Sequence, residues 1–235
     1  MPIILAIETS SELASCALLD GERVAWRESS GVRTHSQAVL PMVQELLAEA
    51  GMRLADCDAV AFGAGPGSFT GVRTACGVAQ GLAFGAGLPV VPLVTLEAMA
   101  QACRERTGAA DVLAVLDARM GEVYWAQYRY DNGWQAVCPP ALGAPETVAP
   151  QPAQGLAACG NGFTAYPEAF AGRAFAQQAL ADIVPHAREL AQLATRALAG
   201  GQAVEAAQAQ PLYLRNKVAY TYAERQAINA AKGEA

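Results

Sequence analysis

The segment Phe62-Gly63-Ala64-Gly65-Pro66-Gly67-Ser68-Phe69-Thr70-Gly71-Val72-Arg73 constrains the chain more than any other. The apolar run Ala59 to Phe62 predicts a buried strand, and the pattern after it predicts a helix from Thr70 to about Gly85. Glycines at such a break permit a tight turn and aim the first helical N–H groups at whatever lies over them. Spacing then decides which turn this is. Counted from Gly63, the last position of G-x-G-x-x-G is Ser68; counted from Gly65 it is Thr70, so the dinucleotide pattern fails. No Gly-Lys pair follows, so the phosphate-loop pattern fails too. This is a glycine-rich strand-to-helix turn that matches neither common nucleotide motif.

The surrounding pattern is α/β. Ile3 to Ile7, Ser15 to Leu19 and Val24 to Glu28 read as strands, with Asp20-Gly21 a hairpin turn. Thr34 followed by Gln37 reads as a capping box, opening a helix that ends at Ala50 before Gly51. After the glycine-rich turn and its helix come a strand at Pro89 to Val94 and a helix at Leu96 to Arg106. A second unit begins near Asp111. Val112 to Leu116, Val123 to Tyr130 and Trp134 to Val137 predict a meander, with the second and third strands joined by Asn132-Gly133. Pro139 to Gly155 reads as loop, Leu156 to Cys159 as a strand, and Gly160-Asn161-Gly162 as a turn. Helices are expected from about Thr164, from His186 to Leu198, and from Tyr220 to Ala231.

With 235 residues the chain is long enough for one large or two small domains with a core that needs no staples. Hydrophobic residues make up 53% and charged residues only 16%, which excludes disorder and leaves an apolar chain whose surface calls for a partner. The net charge of −6 argues against a stand-alone nucleic-acid binder. Basic residues near the end (Arg215, Lys217, Arg225, Lys232) are interleaved with acidic ones and read as a solvated face. Six cysteines without C-x-x-C spacing, and an N-terminal apolar run that stops at Glu8, give the expectation of a cytoplasmic protein with reduced thiols.

Two predicted helices carry unusual surfaces. Gly77, Gly81 and Gly85 lie four apart on one face. Each glycine inside a helix costs about 1 kcal/mol relative to alanine, so the stripe needs a close neighbour: this domain's own sheet or first helix, or another molecule. In the first helix Val39, Met42, Val43, Leu46 and Ala50 form an apolar stripe that Leu40 and Leu47 widen, and Pro41 lies inside. Deep burial of this helix and a docking surface both fit.

The run GAGPGSFTGVR, with Ile7-Glu8-Thr9-Ser10-Ser11 before it and Leu116-Asp117-Ala118-Arg119 and Pro211-Leu212-Tyr213-Leu214-Arg215 after it, resembles the TsaB (YeaZ) family. The resemblance covers nearly the whole chain and implies an actin-like (ASKHA) fold, two RNase H-like halves facing a cleft. The halves are expected at 1–107 and 108–215, with a final helix at about 216–232 packing back on the first. It implies a non-catalytic subunit for making threonylcarbamoyladenosine in tRNA, paired with a catalytic TsaD-like paralogue and linked to TsaE-like and TsaC-like proteins. The chain alone would form a homodimer and meet tRNA only through the complex, with no membrane contact. The expected partner surface is Val39, Leu40, Val43, Leu47, Arg73, Gly77, Gly81 and Gly85.

In an actin-like fold phosphates sit between two hairpins. Thr9, Ser10 and Ser11 on the first, and Gly160 and Gly162 of a remnant pocket, are the candidate nucleotide residues. Many actin-like phosphotransfer enzymes have aspartate where Glu8 stands. The second hairpin, at Asp117-Ala118-Arg119, carries side chains where TsaD-like proteins have glycines, so weak or absent nucleotide binding is expected. Asp117, Arg119 and Glu122 read as a charge network at the hairpin end. TsaD-like enzymes hold a metal through H-x-x-x-H after the fifth strand; Thr95 and Met99 stand there and do not substitute for two imidazoles. The only histidines, His35 and His186, fall at predicted helix starts and read as exposed end residues. No G-x-S-x-G occurs. No cofactor is expected for the chain itself, with ATP or ADP allowed in an assembled complex. The alternatives are an autonomous actin-like ATPase or kinase, and a peptidase.

Overall fold

The computed structural model describes residues 2–29 and 35–215. The buried strand β1 (Ile3–Glu8) lies at the centre of a first sheet. It pairs antiparallel with β2 (Ala14–Asp20), which pairs with β3 (Arg23–Ser29), and parallel with β4 (Ala59–Gly65), which pairs with β5 (Val90–Val94). The order is β3-β2-β1-β4-β5. Because side chains alternate along a strand, Leu5 and Ile7 face one layer and Ile4 and Ala6 the other. The first layer is supplied by α1 (His35–Ala50) and α2 (Phe69–Ala86). Helix α1 continues through Pro41; its Thr34 cap lies outside the described residues.

Helix α3 (Thr95–Thr107) leads to a second sheet of β6 (Asp111–Arg119), β7 (Glu122–Tyr130), β8 (Trp134–Gly143) and β9 (Ala157–Cys159). Its order, β8-β7-β6-β9, repeats the first four positions of the other sheet. Two such halves give the actin-like arrangement. Two local expectations change. Strand β8 runs through Pro139 and Pro140, where the sequence suggested loop. Prolines lack the ladder donor, and these two sit on an edge strand within a bulge, opposite the single residue Ala126 between the Trp125↔Ala141 and Gln127↔Cys138 pairs. The helix expected from Thr164 is divided into α4 (Gly162–Ala165) and α5 (Pro167–Phe170), because Tyr166 precedes a proline and leaves the helical region at φ −134°, ψ 59°.

The other face of the first sheet is covered by α6 (Ala187–Ala199), although it follows the second sheet in the chain. Ala187, Ala191 and Ala194 line one stripe with Leu190, and small side chains let the helix approach β1 and β2 closely. The Ser15 hydroxyl accepts from Ala187 N–H at 2.9 Å. Beyond α6, Val204 bridges Val90, Ala209 O accepts from Gln80 Nε2 at 3.0 Å, and Leu212 N–H donates to Ala64 O at 2.7 Å. Sequence reasoning assigned this return to 216–232, which lies outside the described residues; α6 and the segment after it already make one. Leu190→Ala is expected to cost about 2–5 kcal/mol, read as a lower urea midpoint, since it empties the layer joining α6 to the first sheet. An unchanged midpoint would place α6 outside the core.

Candidate functional site

The glycine-rich turn is filled by the chain's own first hairpin. A Cβ on Gly63 would run into the Glu8 carboxylate, one on Gly67 would lie 2.6 Å from Ser10 Cβ, and one on Gly71 would strike the Thr9 carbonyl. Ser68 N–H donates to Ser10 O at 2.7 Å, and the Thr9 hydroxyl donates to Gly71 O at 2.7 Å. From α3, the Thr95 hydroxyl donates to Pro66 O at 2.6 Å. The four-residue spacing of Gly63, Gly67 and Gly71 is therefore a packing device for Glu8-Thr9-Ser10. What sits over the start of α2 is Thr9 of the same chain.

Of the candidate nucleotide residues, Thr9 is buried with its hydroxyl committed, and Ser10 is buried with Oγ unpartnered among the described residues. Ser11 caps a local turn through Leu13 N–H at 3.3 Å. Gly160 and Gly162 lie against the Val115 backbone, and Gly160 also against Met99 Cε, so both serve close packing of β6. Asn161 between them accepts from Asp117 N–H at 2.9 Å.

Ser10, Ser11 and Asn161 line a cleft of about 550 Å³ between the halves. Arg119 crosses it. Its backbone turns left-handed at φ 62°, followed by Met120 at 58° and Gly121 at 79°. The Arg119 guanidinium pairs with Glu12 on the first hairpin and with Asp117 Oδ2 at 3.3 Å. Side-chain exposures of 69% and 85% make the Arg119–Glu12 pair worth about 0–1 kcal/mol, so it marks the position of the hairpins and does not lock them. Arg215 braces the second hairpin through Glu122 at 2.7 Å and Ala118 O at 3.0 Å. Asp117 Oδ1 accepts from Tyr166 Oη at 3.0 Å and from Arg119 N–H at 2.8 Å. The expected charge network at this hairpin end is thus present, enlarged by Tyr166 and Arg215. The rest of the wall is apolar, from Phe69, Val72, Leu116, Leu212 and Leu214.

Helices α1 and α2 present a different surface. Val39 and Val43, expected to face a partner, are buried in the core, and Leu47 is half-buried against it. A helical stripe points one way only, and here Val39, Met42, Val43 and Leu46 face the sheet. Leu40 is 45% exposed. Gly77, Gly81 and Gly85 are exposed and have open space beside them, so the stripe does not serve packing among the described residues. Arg73 is also exposed, its guanidinium 3.3 Å from the Phe69 ring centre and 4.8 Å from that of Tyr213. Phe84, 83% exposed next to Gly85, was missed from sequence. Its position off the buried stripe of α2 was the signal.

Thr95 and Met99 are buried and spent on the turn and on Gly160. Among the described residues no group of three or more His, Cys, Asp or Glu could hold a metal ion. His186 is not an exposed end residue: it caps α6, its Nδ1 accepting from Arg188 N–H at 3.0 Å and its Nε2 lying 3.2 Å from Glu28. Burial lowers its pKa. Among the described residues no helix is long and apolar enough to cross a membrane.

The glycines divide sharply. Gly71→Ala is expected to destabilise by at least about 2 kcal/mol, because backbone cannot yield to the new methyl. Gly81→Ala should stabilise by about 0.5–1 kcal/mol. Equal denaturation midpoints for the two variants would contradict the packing. Glu8 supplies a pH test. Burial raises its pKa from 4.5 to about 7, against the Ser10 hydroxyl beside it and the Ser10 and Thr9 N–H groups, and Oε2 has no hydrogen-bond partner among the described residues. The folded state binds the proton more tightly than the unfolded, so this contribution is complete below 4.5 and lost as pH rises through about 7. Glu8→Gln should therefore raise Tm at about pH 8 by the equivalent of up to about 3 kcal/mol, and leave it nearly unchanged at about pH 4.5. Equal shifts at both would refute a buried, neutral Glu8.

Comparison with known proteins gives the family. Residues 28–229 match the TsaD family model, described as tRNA N6-adenosine threonylcarbamoyltransferase. The chain is 41% identical over 222 residues to the tRNA threonylcarbamoyladenosine biosynthesis protein TsaB of Escherichia coli, covering 92% of this chain and 96% of that protein. It is also 41% identical over 231 residues to TsaB of Haemophilus influenzae, covering 92% and 95%. The solved structure of YeaZ from Pseudomonas aeruginosa superposes with a TM-score of 0.84 at 44% identity, over 91% of this chain and 100% of that one. The chain belongs to the TsaB (YeaZ) family.

Proposed function

We propose that this protein is the non-catalytic pairing subunit of an assembly that makes threonylcarbamoyladenosine in tRNA. Its partner in this reading is a catalytic TsaD-like paralogue, held through the outer face of α1 and α2. The observation that carries the reading is the α2 stripe of Gly77, Gly81 and Gly85: each glycine weakens the helix by about 1 kcal/mol and no described residue uses the space gained. Leu40, Arg73 and Phe84 add exposed apolar and stacked surface around it. Without its partner the same face pairs two copies of the chain.

The chemistry then belongs to the assembly. A TsaC-like enzyme forms threonylcarbamoyl-adenylate, the TsaD-like subunit transfers the threonylcarbamoyl group to tRNA adenosine, and a TsaE-like ATPase supports turnover. This chain reaches tRNA only through the complex, works in the cytoplasm, and needs no cofactor of its own. Any ATP or ADP belongs to the assembled state. The autonomous ATPase reading is disfavoured by the committed Thr9 hydroxyl and by Arg119 between the hairpins, where an actin-like enzyme holds phosphates.

The test is complementation of a strain lacking this protein, with modified nucleosides measured in bulk tRNA. Wild type should restore the nucleoside. Leu40→Glu should lower affinity for the TsaD-like protein at least about tenfold and reduce the nucleoside, while leaving Tm unchanged because Leu40 is outside the core. Full modification in the deletion strain, or undiminished binding by Leu40→Glu, would defeat the reading.

A further inference from the structure

Helix α6 opens on an uncommon cap. Ser, Thr, Asp and Asn are the usual residues there, because a side-chain oxygen accepts from the second or third helical N–H. Here His186 takes that place, and its Nδ1 accepts from Arg188 N–H at 3.0 Å. A backbone N–H can only donate, so Nδ1 holds a lone pair and the ring proton sits on Nε2. Glu28 Oε2 on β3 faces that proton at 3.2 Å. The cap therefore exists in one form of the ring alone: neutral, with its proton on Nε2.

A second proton would go to Nδ1, the nitrogen already in use. Both ring nitrogens would then donate, Arg188 N–H would face another N–H, and a positive charge would stand at the positive end of the helix. The charged groups around the ring offer that form little compensation. Arg188 pairs with Glu105 of α3, and Arg106 of α3 pairs with Asp182 at 2.6 Å, so these four are matched among themselves. Glu28 attracts an imidazolium, but its side chain is 56% exposed and water screens it. Glu189 Oε2 lies 3.7 Å from Nδ1, beyond hydrogen-bond distance. The imidazole is only 15% exposed, and burial penalises its charged form.

The same turn is a fastening point. Ala187 N–H donates to Ser15 Oγ on β2 at 2.9 Å, and the Arg188 guanidinium, paired with Glu105, lies 5.6 Å from the Trp26 ring centre on β3. The chain arriving from the second sheet is thus held against β2, β3 and α3 at the first turn of α6.

We propose that His186 is a proton-sensitive cap: neutral, it fastens the first turn of α6 to the first half, and protonated, it releases that turn. Burial holds the folded-state pKa of His186 below 6.5, so its contribution is complete above 6.5 and lost as pH falls through the folded value. Glu189 runs the other way. Burial raises its pKa to about 7, so its contribution is complete below 4.5 and lost as pH rises through about 7. Opening of this turn in acid is therefore the signature of His186.

The experiment is amide hydrogen exchange by NMR on the full chain, corrected for the intrinsic pH dependence of exchange, with the ring-nitrogen shifts of His186 recorded alongside. At about pH 7.5 the shifts should report a neutral ring with its proton on Nε2. Arg188 N–H has no acceptor within the helix, so its protection reads the cap directly. At about pH 5, once the shifts show a doubly protonated ring, that protection should fall about fivefold or more relative to amides of β4, which follow global unfolding. His186→Asn supplies a cap that does not titrate and should keep equal protection at both pH values. His186→Ala should be as weakly protected at the higher pH as the wild type is at the lower. A neutral ring with its proton on Nδ1, protection that survives protonation, or an acid loss that persists in His186→Asn overturns the proposal and leaves His186 a static contact.

Discussion

The fit of Glu8-Thr9-Ser10 into the steps left by Gly63, Gly67 and Gly71 determines how the first half is put together. It ties the end of β1 to the start of α2 through backbone contacts that no side chain could share. The bond from Ser10 O to Ser68 N–H and that from the Thr9 hydroxyl to Gly71 O close it. Thr95 then fixes α3 to the same turn through Pro66 O. With this joint made, β1, β4, α2 and α3 hold one relative position, and the second half is carried on α3. The joint also commits the Thr9 hydroxyl and the Ser68 N–H, two polar groups at the start of α2. A helix start covered by its own chain is a structural corner, and the Arg119–Glu12 pair stands across the remaining space between the hairpins.

The two faces of the first sheet are finished differently. One is sealed by α6, an alanine-lined helix that returns from the far side of the second sheet. The other is sealed by α1 and α2, whose inner stripes are ordinary core and whose outer sides carry open glycines and an exposed phenylalanine. Family membership rests on the sequence and structural matches. The proposed pairing role rests on this asymmetry between a helix face that is covered and one that no described residue covers.

Much of the architecture was legible because local signals were strong. Asp20-Gly21 and Asn132-Gly133 fixed two hairpins, Gly51 stopped a helix, and alternation in β1 marked a central strand. Local signals fail where tertiary context decides. Pro139 and Pro140 are tolerated because β8 is an edge strand with a bulge, which composition cannot reveal. His186 reads as an exposed helix-end residue until α6 packs against the first sheet and buries it. At the candidate site, the three glycines were readable as a turn but not as a seat for Glu8, because their partner lies over fifty residues away. Val39 and Val43 were assigned outward because a widened apolar stripe does not say which of its edges meets the core.

The most direct measurement of the central joint is amide hydrogen exchange at Ser10 and Ser68, with and without ATP. Ser68 N–H is bonded to Ser10 O, and Ser10 N–H to Glu8 Oε1 at 2.5 Å. Both amides should exchange only with global unfolding, as slowly as those in β1, and ATP should not alter them. Fast exchange at these positions, or protection that appears only when nucleotide is added, would contradict a turn closed by its own chain.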